Sequence, residues 1–166
     1  MPLTFSAQVA EWSAFYTTLA AVAATFAGLL FVSLSIRFAE LSSARHADLR
    51  RLARHTFGCY LYLVVFSLVI LIPGQVPNGV GVPLLIIGTM AMVQTAVQMR
   101  AAAREGSRRT ALFRLSIANY AVLIAVALAL MTGRALALYL LVTLTIWQLA
   151  WATRMSWDLL FIDPEA

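Results

Sequence analysis

From Trp12 to Ile36 the chain runs for 25 residues without one Asp, Glu, Lys or Arg. At about 1.5 Å per residue, a helix of that length exceeds the roughly 30 Å hydrocarbon core of a bilayer. Only a helix satisfies its own backbone N–H and C=O groups in such a solvent without help from neighbours. The segment therefore reads as a membrane span with length to spare for tilt. A secretory signal is the competing reading, but residues 1–10 hold no basic residue, the apolar run is too long, and Glu11 stands immediately before it. The segment is therefore expected to stay in the mature protein.

The same argument repeats along the chain. Leu52 to Ile72 is interrupted only by Arg54 and His55 at its start, and it ends in Pro73-Gly74-Gln75-Val76-Pro77-Asn78-Gly79, a dense run of turn formers. Val80 to Met99 follows, with Pro83 placed in the first turn, where a missing N–H costs little. Leu115–Gly133 and Ala135–Thr153 are uncharged runs of 19 residues each, parted only by Arg134, so Thr132-Gly133-Arg134 predicts a tight helical hairpin. The expected fold is an all-α integral membrane bundle in a single domain, 1–166, with about five transmembrane helices at 12–36, 52–72, 80–99, 115–133 and 135–153. Loops are expected at 37–51 and 100–114, and an amphipathic tail, 154–166, along the interface. A four-span alternative would make Pro73 to Met99 re-entrant. Composition agrees: 62% of the residues are hydrophobic and 11% charged, against roughly a quarter charged in ordinary soluble domains. A soluble shell cannot be assembled from such a chain.

Orientation follows from the basic residues, all twelve of which are arginine. Residues 37–55 carry Arg37, Arg45, Arg50, Arg51 and Arg54 against Glu40 and Asp48, a net +3; residues 100–114 carry Arg100, Arg104, Arg108, Arg109 and Arg114 against Glu105, a net +4. By the positive-inside rule both loops are cytoplasmic, which places the N-terminus and the Pro-Gly loop outside and the C-terminus inside. Trp12 and Tyr16 then belong at the outer interface, Trp151 and Trp157 at the inner one. Gly106 suits a helix C′ position and Ser107 an N-cap. Arg108 and Arg109 in a first helical turn oppose the helix dipole, so anionic lipid phosphates are candidate partners for them and for Arg50, Arg51 and Arg54.

No expected span holds a carboxylate or a lysine, which disfavours ion-coupled transport. With His46, His55 and Cys59 as the available soft or borderline ligands, a zinc site is not expected; no cofactor and no nucleic-acid partner is expected either. Paired carboxylates, a nucleophile beside a base and a phosphate-cradling loop are not visible in the sequence, so the chain is not expected to be an enzyme. His55, next to Arg54, reads as a head-group residue. The first span carries a small-residue stripe, with Ala20, Ala24 and Gly28 as the candidate packing face, and similar faces occur at Gly88, Ala91 and Thr95 and at Ala118, Ala121, Ala125 and Ala129. In lipid such faces let helices approach closely, because tight packing must supply the attraction. Gln94, Asn119 and Gln148 each lie five or six residues inside a boundary arginine, about 8 to 9 Å, with Gln98 nearby. They are candidates either for interhelical hydrogen bonds or for the lining of an aqueous vestibule.

The first span, Trp12-Ser-Ala-Phe-Tyr through Ala27-Gly28-Leu-Leu-Phe-Val-Ser-Leu-Ser-Ile36, resembles that of small multi-span bacterial inner-membrane proteins of unassigned function. The resemblance implies a multi-pass protein of the cell inner membrane and brings no active-site residue. Two functions follow as expectations: a homo-oligomeric channel or pore with an arginine-ringed cytoplasmic mouth, or a non-catalytic accessory or assembly subunit of a larger membrane complex.

Overall fold

The computed structural model describes residues 4–36, 47–104, 110–134 and 136–160, and among these the regular structure is all helical. A short helix, α1 (Phe5–Glu11), is capped by Thr4, whose hydroxyl accepts from the Ala7 N–H at 3.4 Å. It stops at Trp12, whose backbone leaves the helical region (φ −90°, ψ 1°), and α2 (Ser13–Ile36) starts there, with the Tyr16 N–H bonded to the Trp12 carbonyl. Helix α1 was not expected from the sequence, because seven residues fall short of a periodic signal.

Four longer helices follow: α3 (Ala47–Ile70), α4 (Pro77–Arg104), α5 (Thr110–Met131) and α6 (Leu136–Leu160). Helices α2 to α6 contain the five segments long and apolar enough to cross a membrane, so the chain is a multi-pass membrane protein. Their ends differ from expectation in three places. Helix α3 begins at Ala47, which puts Arg50 and Arg51 inside a helix rather than in a loop. Helix α4 starts at Pro77, where a proline fits the first helical position, so Pro83 falls in the second turn instead of the first. Helix α6 continues unbroken past Arg154 to Leu160, with Met155 and Leu159 buried, so residues 154–160 extend the bundle and are no separate interfacial tail. The Gly106 and Ser107 capping positions lie outside the described residues.

Both described hairpins turn on a glycine in the left-handed region, Gly74 at φ 69° and Gly133 at φ 72°, a conformation that an L side chain resists. At the first, buried Gln75 donates its side-chain N–H to the Val69 carbonyl, which also accepts from the Ile72 N–H at 3.4 Å, so the side chain fastens the turn to the end of α3. Helices α3, α4, α5 and α6 form an antiparallel ring in which neighbours touch in chain order and α6 closes back on α3. The most extensive contact is α4 on α5. Gly81 allows it, since a Cβ there would collide with the Met131 side chain and lie 3.0 Å from the Ala127 carbonyl oxygen. Helix α2 packs outside the ring, against α3 and more lightly against α6.

The face that α2 buries is Tyr16, Leu19, Ala23, Ala27 and Leu30. Ala24 and Gly28 are exposed, Ala20 is half-buried, and a Cβ built on Gly28 meets nothing within 4 Å. Within the protomer, then, Ala20, Ala24 and Gly28 are not the packing face: the small residues that α2 turns toward the ring are Ala23 and Ala27, set between Tyr16, Leu19 and Leu30. The same correction applies to α5, where Ala118, Ala121 and Ala125 are exposed while Ser116, Tyr120, Leu123 and Ala127 face inward. The α4 face is as expected, with Gly88, Ala91 and Thr95 buried.

Candidate functional site

The interior of the ring changes character along its length. Toward the proline–glycine hairpins it is filled by Leu63, Phe66, Val80, Leu84, Leu123, Leu130 and Leu141, all buried. Toward the arginine-bearing ends it becomes polar. His55 and Cys59 sit one turn apart on α3, and Ser116 and Tyr120 one turn apart on α5, so the two helices present matching pairs. His55 Nε2 lies 2.9 Å from Ser116 Oγ, and that hydroxyl donates to the Leu112 carbonyl at 3.1 Å. The serine oxygen is thus left to accept, which assigns the ring proton to Nε2 by inference from the network. Cys59 Sγ lies 3.5 Å from Tyr120 Oη and 3.8 Å from His55 Nε2.

This arrangement overturns two readings. His55 is an interior residue, 5% exposed, and not a head-group one. A thiol does stand beside an imidazole, although both are buried and engaged with α5. The signal was in the sequence as two polar pairs at helical spacing, but only the fold brings residues 61 positions apart into contact.

The amides separate into two groups. Asn119 donates from Nδ2 to Gln148 Oε1 at 2.9 Å, tying α5 to α6 inside the bundle. Gln94 is exposed on α4 and its Oε1 accepts from the Tyr62 hydroxyl at 2.8 Å, so it does not join the other two. Gln98 is half-buried. Four buried polar atoms on α4, α5 and α6 have no protein partner among the described residues: Gln98 Oε1, Asn119 Oδ1, Gln148 Nε2 and Trp151 Nε1. Two of these atoms are donors and two are acceptors. Tyr60 adds a further link, its hydroxyl 3.0 Å from Ser156 Oγ, which holds the C-terminal turns of α6 on α3. Tyr16, expected at the interface, is 1% exposed and packed inward.

Of the arginines proposed to meet anionic lipid, Arg50 and Arg54 are exposed and Arg51 is half-buried on the first turns of α3, while Arg108 and Arg109 lie outside the described residues. The polar layer and the arginine-bearing helix ends thus share one end of the molecule, and the apolar seal occupies the other. No protein-family model, no curated protein and no solved structure matches this chain.

Proposed function

We propose that the protein is a non-catalytic assembly or accessory subunit of the bacterial inner membrane, which works by docking the outer face of α2 on another transmembrane helix. The observation that carries this reading is the uncovered small-residue face of α2: Ser13, Ala14, Thr17, Ala21, Ala24 and Gly28 are all exposed. A helix facing lipid alone gains nothing from small residues, whereas a helix facing a helix gains backbone proximity and dispersion contact. Beside this face the hydroxyls of Thr18, Thr25 and Ser35 bond back to carbonyls four residues earlier, so these three need no water. The apolar seal across the ring also argues against a path through a single protomer. The exposed Arg50 and Arg54 suit anionic lipid head groups beside such an interface.

The test is disulfide trapping in membranes, with single cysteines at Ala24 and Gly28 in a Cys59→Ala background. A cross-linked species at either position, lost when Ala21 is changed to Leu, supports docking through this face; unreacted monomer at both sinks it. A second reading, the homo-oligomeric pore, is favoured by Gln94, an exposed amide within a span, which is costly in lipid unless water or a neighbour faces it. Liposome flux decides that reading: the native protein would pass anions ahead of cations, and Gln94→Leu would reduce the flux.

A further inference from the structure

Between α2 and α6, at the arginine-bearing end, runs a groove of about 760 Å³ floored by Phe26, Ile146 and Ala150 and ending at Arg154, Trp157 and Asp158. We propose that this groove binds one bilayer phospholipid of the phosphatidylethanolamine type, with its phosphate on Arg154, its ammonium on Asp158 and an acyl chain along the apolar floor.

Three features of the groove select that head group. Arg154 and Asp158 stand four residues apart, about 6 Å along the helix axis, and no ion pair joins them among the described residues. The order of the charges matches the lipid. Arg154 is the nearer to the apolar run, as the phosphate is nearer to the acyl chains, and Asp158 lies beyond it, as the ammonium lies beyond the phosphate. Trp157, 64% exposed between them, puts an indole at the level where aromatic side chains settle in a membrane interface. A guanidinium binds phosphate through paired N–H donors, and a primary ammonium donates hydrogen bonds to a carboxylate. Phosphatidylcholine keeps the cation but has no N–H to give. Phosphatidylglycerol has no cation at all and offers Asp158 only neutral hydroxyls.

The experiment measures lipid retention by native mass spectrometry on the whole protein in mild detergent, with equal phosphatidylethanolamine, phosphatidylcholine and phosphatidylglycerol of one acyl composition, and reads thermal unfolding in the same mixtures. Phosphatidylethanolamine should be retained about tenfold over either competitor, the ratio that one charge-assisted hydrogen bond of about 1.4 kcal/mol gives. Asp158→Asn should abolish its advantage over phosphatidylcholine while leaving binding, and Arg154→Gln should weaken all three. Ala150→Trp, which fills the exposed floor, should displace lipid with both charges in place. Equal retention of the three lipids by the native chain overturns the proposal, as does a preference unchanged by Asp158→Asn. The site does not depend on what docks against α2, because it takes the edge of α2 that faces α6.

Discussion

The tightest constraints in this molecule fall on single residues. Gly81 is one, because the α4–α5 approach leaves no room for a methyl group beside Met131 and the Ala127 carbonyl. Gly81→Ala should lower the unfolding free energy by about 1 to 3 kcal/mol, the usual range for forcing an extra group into a packed contact, read as a fall in melting temperature in detergent. Gly28→Ala should change the monomer by less than about 0.5 kcal/mol, since open space surrounds its Cα. Equal shifts at the two positions would contradict the assignment of α4 and α2 faces. Polar residues are constrained less by space than by partners. A double-mutant cycle on Asn119 and Gln148, each changed to Ala, should return a coupling of about 0.6 kcal/mol, the average for interhelical hydrogen bonds in a membrane protein. A coupling of zero would mean the amides bond to something else.

Helix α2 provides the sharpest test among the elements, because adjacent alanines have opposite environments. Ala23 is fully buried against the ring, while Ala24 is exposed. Ala23→Leu should therefore lower the melting temperature of the isolated chain, and Ala24→Leu should leave it unchanged while weakening association. Thermal unfolding beside analytical ultracentrifugation separates the two effects. The hairpins make a second element-level prediction. Gly133→Ala forces a side chain into a positive-φ turn and should cost about 1 kcal/mol, seen as an earlier unfolding transition with the helical signal otherwise intact.

For the molecule as a whole, the charge at its two ends makes the orientation in the membrane a testable property. Ten of the twelve arginines lie in residues 37–55 and 100–114, so the positive-inside bias predicts a cytoplasmic position for the end that these two segments share. A cysteine at Asn78, exposed at the opposite end, should react with an impermeant thiol reagent on intact cells, whereas one at Ser107 should react only after permeabilisation. Labelling with the reverse pattern would turn the molecule over. Five spans, their order and both hairpins were legible in the sequence alone. Length, charge and turn residues decide these locally, since a bilayer admits only helices long enough to cross it. Which face of each helix turns inward was not legible. In a chain apolar on every side, hydrophobic periodicity loses its meaning, and small residues mark close approach without saying to whom. The stripe on α2 faced out for that reason, and the one on α4 faced in. The pairing of His55 with Ser116, of Cys59 with Tyr120 and of Asn119 with Gln148 was decided only by tertiary structure, because it depends on how neighbouring helices rotate and shift against one another to pack.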